Sequence, residues 1–196
     1  MVVFTSDNGG LATAEGSPTC NAPLSEGKGW MYEGGTREPL IVRWPGVVDA
    51  GSSCSVPVTS PDFYPTMLDV AGLDLMPEQH CDGVSLLTLL EGGSSLDRQA
   101  IFWHYPHYGN QGGTPGASVR AGDYKLIEFF EDNHVELYNL REDVAEAHDL
   151  AEEEIERTQA LRDLLAQWRE QVEARLPERN PDFTPWRDAD VCAPWV

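Results

Sequence analysis

Basic side chains are scarce in this sequence. Its 13 lysines and arginines stand against 33 aspartates and glutamates, which gives a formal net charge of -20. A chain with this excess of negative charge is a poor ligand for nucleic acid or an anionic membrane, and neither is expected as a partner. The same charge repels anionic substrates, except at a site that supplies its own cations.

Cysteines and long apolar runs are scarce as well. Cys20, Cys54, Cys81 and Cys192 are widely spaced and form no CxxC pair, which argues against a zinc site. They are either disulfide-bonded in an oxidising compartment or reduced thiols. No stretch approaches the ~20 apolar residues of a membrane span, and the first residues lack the charged start and apolar run of a secretory signal.

The sequence changes character at Gly92–Ser95, which predicts a boundary between residues 1–96 and residues 97–196. The first part is expected to have an α/β fold. Its opening apolar run, Val2–Phe4, predicts a strand buried on both faces of a parallel sheet. The further elements expected in this part are a long loop over 11–37, a strand at 39–44, a possible edge strand at 56–58, a helix at 62–71, and a short helix or turn at 84–90.

The second part is expected to fold as an antiparallel sheet of four strands, because four short apolar segments alternate with turn residues. These segments are 100–105, 117–120, 124–130 and 135–140. A helix should follow over 151–176, with Asp149 as its cap. One apolar stripe runs along this helix and predicts that it covers a face of the sheet. The stripe comprises Leu161, Leu164, Leu165, Trp168, Val172 and Leu176.

Two polar segments are candidates for chemistry. Asp7 and Asn8 follow the first predicted strand, where α/β sheets place their sites, and their oxygens suit Ca²⁺ or Mg²⁺; the alternative is that Asn8 and Gly9 form only a turn. Lys28 stands between two glycines, whose backbone can approach a ligand closely, so its ammonium could meet an oxyanion. The alternative is an ordinary surface lysine. Glu33 and Arg37 are spaced to pair and brace this loop.

A third candidate is the aromatic segment Phe102–Tyr108, which contains His104 and His107 and precedes a glycine-rich loop. Its rings could form a wall on which a sugar stacks. The alternative is that Trp103 and Tyr105 face the core and that the two histidines have no role in binding.

Several segments, taken in order and spacing, resemble the signatures of the type I, formylglycine-dependent sulfatases. These segments are Thr5–Gly9, Gly27–Gly29, Tyr32–Pro39, Arg43–Gly46, Asp82–Leu87, Gly122–Leu126, Glu136–Leu140 and Glu146–Leu150. The resemblance covers nearly the whole chain. It implies an alkaline-phosphatase-like fold that is only partly present here, followed by a smaller subdomain with a four-stranded antiparallel sheet and a packed helix.

The resemblance also implies roles for single residues. Asp7 and Asn8 match a pair of calcium ligands of the family, so Ca²⁺ is the expected metal. Lys28 matches the lysine that contacts the sulfate ester. The segment from Glu33 to Arg37 matches a conserved loop, for which a structural role is expected.

The departures from the family pattern are equally informative. The sequence has no Cys/Ser-x-Pro/Ala-x-Arg motif, from which the family makes its formylglycine nucleophile, and the family's first pair of acidic metal ligands is absent. We therefore expect a C-terminal portion that is inactive and poorly stable alone. The complete protein should hydrolyse sulfate esters, preferably of carbohydrates, in the periplasm or outside the cell. The alternatives are a phosphodiesterase or phosphonate hydrolase of the same superfamily, and an inactive truncated product.

Overall fold

The computed structural model describes residues 1–13, 19–178 and 180–182, and Cys192 lies outside these ranges. It contains two antiparallel sheets and four helices. The smaller sheet pairs β1 (Val2–Thr5) with β2 (Leu40–Arg43), and the larger contains, in order, β3 (Ile101–Tyr105), β4 (Gly116–Ala121), β5 (Tyr124–Phe129) and β6 (Val135–Asn139). The helices are α1 (Glu33–Thr36), α2 (Phe63–Val70), α3 (Leu87–Leu90) and α4 (Ile155–Gln171), and a 3-10 helix, Ser60–Asp62, precedes α2.

The four-stranded sheet confirms the antiparallel prediction. Each strand pairs with the next one along the chain; short turns join β4 to β5 and β5 to β6, and a longer loop over 106–115 joins β3 to β4. The turn between β4 and β5 contains Gly122, whose positive φ of 59° is a conformation that glycine adopts without steric cost. Asn133, with a φ of 62°, serves the next turn in the same way.

One face of this sheet is covered by α4, as predicted. Leu161 and Leu165 of the helix pack with Val119, Leu126 and Leu137 of the sheet in a single apolar cluster. Side chains of a strand alternate between faces, so Leu126 and its neighbour at two residues, Glu128, point to the same side. Glu128 is buried there and pairs with Arg162 and Arg169 of α4.

The start and end of α4 differ from the prediction. The helix begins at Ile155, not at 151, and its first residue is preceded by turns. Asp149 does not cap it, because the Asp149 carboxylate accepts hydrogen bonds from the backbone amides of Leu137 and Ala151. The apolar stripe also ends early, since Val172 and Leu176 are exposed.

The first strand is not buried in a parallel sheet, so that prediction is wrong for this chain. Within the described residues β1 pairs only with β2, in antiparallel register, and most of its side chains are exposed. Phe4 and Ile41, which face each other across the two strands, are 63% and 61% exposed. Within the described residues β1 therefore leaves one edge unpaired and an apolar surface exposed. The described residues include no strand at 56–58.

The predicted boundary near residue 96 separates the two sheets along the sequence, although contacts cross it. Asp62, which is fully buried, accepts hydrogen bonds from the backbone of Thr59 and Val84 and pairs with Arg98 beyond the boundary. No helix in the described part of the chain is long and apolar enough to cross a membrane.

Candidate active site

The second face of the four-stranded sheet carries the loop that contains Lys28. Met31 of this loop packs in an apolar cluster with Ile127, Phe129, Tyr138 and Leu140 of the sheet region. These contacts join residues about one hundred positions apart, and they make the sheet the floor on which the loop is built.

An aromatic pair fixes the loop to the sheet. The Tyr32 hydroxyl donates a hydrogen bond to Glu136 Oε2 at 2.7 Å, and the Tyr138 hydroxyl donates to the same oxygen at 2.9 Å. Burial, and then the hydrogen bond to the Glu136 carboxylate, raise the pKa of both phenols far above the ordinary range. Both hydroxyls therefore remain protonated donors at any ordinary pH.

A buried ion cluster lies beside this pair. Lys125 on β5 is completely buried, and its Nζ lies 3.0 Å from Glu33 Oε1 and 3.0 Å from Glu146 Oε1. Glu146 also accepts a hydrogen bond from the Glu33 amide at 2.6 Å through its other oxygen. Burial raises the pKa of Glu146, and the adjacent Lys125 opposes that effect. Arg120 Nη1 lies 3.7 Å from Glu33 Oε2.

The spacing of Glu33 and Arg37 predicted that they pair, and in the structure Arg37 Nη1 lies 3.5 Å from Glu33 Oε2. Arg37 is half exposed, however, whereas the stronger partners of Glu33 are Lys125 and Arg120. The sequence analysis did not predict these partners. The signal for them was Lys125 itself, between Tyr124 and Leu126 in a predicted strand, because a lysine in a strand that is covered on both faces needs a buried counter-charge.

Backbone contacts bring the Asp7–Asn8 turn to the Lys28 loop. The Lys28 amide donates a hydrogen bond to the Gly10 carbonyl at 3.1 Å, two residues after Asn8. The Gly9 amide donates to the Gly35 carbonyl at 3.3 Å. A Cβ on Gly9 would lie 1.9 Å from the Gly34 oxygen, so only glycine permits this approach.

Asp7 and Asn8 also line a cavity of about 710 Å³, together with Glu38, Arg98 and Trp103. Burial, followed by the nearby Asp7 carboxylate, raises the pKa of Glu38. Glu38 Oε1 is buried without a hydrogen-bond partner among the described residues. Lys28 is exposed and does not line this cavity.

The structure separates the two histidines of the aromatic segment. His104 lies on the α4 side of β3, where its Nε2 is 2.8 Å from the Arg175 carbonyl oxygen and its ring contacts Phe130. His107 is exposed beyond the end of β3, with its ring edge against Tyr105 at 5.5 Å between centroids.

The glycine-rich loop that follows His107 rests on the Lys28 loop. The Trp30 indole donates a hydrogen bond to the Gln111 carbonyl at 3.1 Å. A Cβ on Gly113 would lie 1.8 Å from the Gly29 oxygen. The aromatic segment and Lys28 therefore lie on neighbouring loops, with His107 on the same side and His104 on the other.

Among the described residues, no group of three or more His, Cys, Asp or Glu side chains is arranged to hold a metal ion. Asp7 and Asn8 together offer one carboxylate and one amide, which is part of the six to eight oxygens, roughly, that Ca²⁺ requires. Cys20, Cys54 and Cys81 are exposed and form no disulfide within the described part of the chain.

The chain is similar in sequence to known proteins over most of its length. Residues 26–174 match the family model for the C-terminal part of N-sulphoglucosamine sulphohydrolase. A sulfatase of Formosa agariphila is 37% identical over an alignment of 196 positions, and the alignment covers 95% of this chain and 34% of that protein.

Solved structures give the same result. A protein in complex with its substrate, D-glucosamine-2-N,6-O-disulfate, has a TM-score of 0.71 and 31% identity, over 87% of this chain and 34% of its own. A phosphonate monoester hydrolase of Agrobacterium radiobacter has a TM-score of 0.62 and 25% identity, over 86% of this chain and 34% of its own. The chain thus spans about a third of these relatives. The family match and the shared fold show that the chain belongs to the sulfatases and corresponds to the C-terminal portion of their fold.

Proposed function

We propose that these residues form part of the active site of a calcium-dependent sulfatase that hydrolyses sulfate esters of carbohydrates. The observation that carries the proposal is the hydrogen bond from the Lys28 amide to the Gly10 carbonyl. Because of this contact, the proposed oxygen ligands Asp7 and Asn8 and the cation of Lys28 lie on adjoining turns. The chain that carries them belongs to the sulfatases.

Calcium is the metal that the family resemblance implies, and this donor set is compatible with it. The Asp7 carboxylate and the Asn8 amide oxygen are hard ligands, and they would supply two of its coordination positions. Glu38, with its unpartnered buried oxygen near Asp7, adds negative charge on the same side. When bound, the ion supplies Lewis acidity and orients the sulfate group. The remaining ligands must come from outside the described residues.

Lys28 performs the step that this chain can contribute. Its side chain is exposed and its backbone amide is held by the Gly10 carbonyl, so the ammonium can donate hydrogen bonds to a sulfate oxygen or to the departing alkoxide. A cation at that position stabilises the negative charge that develops when the sulfur–oxygen bond breaks. The sequence has no Cys/Ser-x-Pro/Ala-x-Arg motif, so the nucleophile of the proposed reaction is not one of these 196 residues.

A sulfated sugar is the preferred substrate. One structurally similar protein was solved with a glucosamine disulfate, and the exposed rings of Tyr105, His107 and Tyr108 lie on the loop beside Trp30. Aromatic faces of this kind pack against the apolar face of a sugar ring. His107 belongs to this wall, whereas His104 would act only through the strand that it shares with Tyr105. We place the complete protein in the periplasm or outside the cell.

The test compares the 196-residue chain with the complete polypeptide, co-expressed with a formylglycine-generating enzyme. We expect hydrolysis of an aryl sulfate, in the presence of calcium, by the complete polypeptide only. Asp7→Ala and Lys28→Ala should each lower kcat at least about a hundredfold, the size of a lost electrostatic contact to a transition state. Asp49→Ala and Arg141→Ala, at exposed positions, are the matched controls. Activity of the short chain alone would overturn the proposal, and preference for a phosphonate ester would favour the related hydrolases.

A further inference from the structure

The proposed site is built on turns and on one very short helix, so its geometry must be held from outside. Helix α1 has four residues, and no side chain of its preceding residue, Tyr32, caps it. The amide of its first residue, Glu33, would be left without a partner inside the helix. That partner is the carboxylate of Glu146, at 2.6 Å and 113 positions further along the chain.

Glu146 reaches this amide from a constrained backbone. Its φ is +51°, in the left-handed region that residues with a side chain seldom occupy. The carboxylate is buried, and burial raises its pKa. A buried carboxylate on a strained backbone needs a strong counter-charge to stay in place, and Lys125 supplies it at 3.0 Å.

Lys125 joins this support to the helix itself. Its Nζ contacts Glu33 Oε1 at 3.0 Å and donates a weaker hydrogen bond to Thr36 Oγ1 at 3.4 Å, so it touches both ends of α1. From α1 two backbone links lead to the site. The Gly35 carbonyl accepts from Gly9, next to Asn8, and the Gly34 amide donates to Ser25, at the start of the Lys28 loop.

We infer that Lys125 is a positioning residue for the site, acting through Glu33 and α1 on both the Asp7–Asn8 turn and Lys28. The site itself rests on the proposed function, but the link from Lys125 to the two turns does not. Lys125 sets the position of α1, and α1 sets the distance between the metal-ligand turn and the catalytic ammonium.

The opposite face of the same strand provides the control. Glu128, three residues from Lys125, is also buried and ion-paired, but its partners are Arg162 and Arg169 of α4. Lys125→Met and Glu128→Gln therefore each break a buried ion pair of β5, on opposite sides of the sheet. Only the first pair is connected to the site.

The experiment measures hydrogen exchange at the Gly9 and Lys28 amides of the 196-residue chain. It also measures the ¹³C signal of the reductively methylated Lys28 amine, because Lys28 and Lys125 are the two lysines of the sequence and Lys125 is buried. Lys125→Met should raise exchange at both amides at least about tenfold and shift the Lys28 signal. Glu128→Gln, in denaturant adjusted to equal overall stability, should do neither, and Lys125→Arg should restore part of the protection.

Unchanged exchange in Lys125→Met, or equal acceleration in Glu128→Gln, would overturn the inference. If Lys125→Met does not fold, the charge-neutral Glu33→Gln/Lys125→Met variant replaces it, with the same expected and contrary results.

In the complete polypeptide Lys125→Met should lower kcat about tenfold or more with little change in KM. Loss of amide protection in a protein whose parent hydrolyses no sulfate would overturn the proposed function and leave the role of Lys125 intact.

Discussion

The two faces of the four-stranded sheet are stabilised in different ways. The α4 face is largely an apolar contact between a regular helix and regular strands, with Leu161 and Leu165 at its centre, and its buried Glu128 pairs with two partly exposed arginines. The opposite face combines a smaller apolar cluster with the buried charges of Lys125, Glu33 and Glu146. Apolar contacts tolerate small shifts, whereas a buried charge is stable only when its partners are at hydrogen-bonding distance. The face with the stricter geometry is the one that carries the candidate site.

The largest expected effect comes from Glu33→Ala. The change leaves Lys125 buried beside a single carboxylate and removes the counter-charge of Arg120, which should cost about 3–5 kcal/mol of unfolding free energy. Urea denaturation of the two proteins would measure it. The exposed neighbour Arg37, changed to Ala, is the control and should cost less than about 1 kcal/mol. Equal losses in the two variants would show that the buried charges do not distinguish this face.

Leu165→Ala tests the α4 face at similar depth. Leu165 is fully buried, and truncating it should cost about 3 kcal/mol through lost contacts and a cavity. The same denaturation experiment applies, with Leu176→Ala as the exposed control. Hydrogen exchange at Gly9 and Lys28, compared at matched stability, should not change. A change there would mean that the two faces are coupled and that the comparison fails.

Gly113→Ala tests the contact between the aromatic segment and the Lys28 loop. The added methyl group would lie 1.8 Å from the Gly29 oxygen, so the glycine-rich loop must move, at a cost of about 1–3 kcal/mol. In the complete polypeptide we expect KM for a sulfated sugar to rise more than KM for a small aryl sulfate. Gly122→Ala, where an added methyl group meets no neighbouring atom but the backbone is strained, is the control for stability alone.

Tyr32→Phe should have the smallest effect, about 1 kcal/mol at neutral pH, since one hydrogen bond to Glu136 is lost. Its signature is the pH dependence. The folded-state pKa of Tyr32 and Tyr138 lies above the unfolded value of about 10, so their contribution is complete below that pH and is lost as the pH rises above it. Between about pH 9 and 11, the melting temperature should fall less steeply with rising pH in Tyr32→Phe than in the parent or in Tyr64→Phe. Parallel curves would contradict the assignment.

The sequence predicted the α4 face well because its information is local. The apolar positions of α4 recur within a few residues, and the strands are joined by turns whose residues favour turns. It did not predict the ends of α4, because Asp149 found backbone partners in the sheet rather than in the helix. The exposed β1 differed from a buried parallel strand for a related reason, since burial depends on neighbours that a short apolar run does not identify.

The candidate site was predicted in part. Asp7, Asn8, Lys28, Glu33 and Arg37 were identified from their spacing and family resemblance, and their roles as ligands or catalytic groups remain predictions. Lys125 and Glu146 were not identified as partners of Glu33, because 92 and 113 residues separate them along the chain. No local pattern records such a pairing.

The contact between Glu33 and Glu146 also has a consequence for biosynthesis. At a translation rate of about 5–20 residues per second, the 113 residues between them take roughly 6 to 23 seconds to synthesise. During this interval the nascent loop lacks the carboxylate that completes its helix. Any polypeptide released before residue 146 would carry the Asp7–Asn8 turn and Lys28 but not the Glu146 contact to α1.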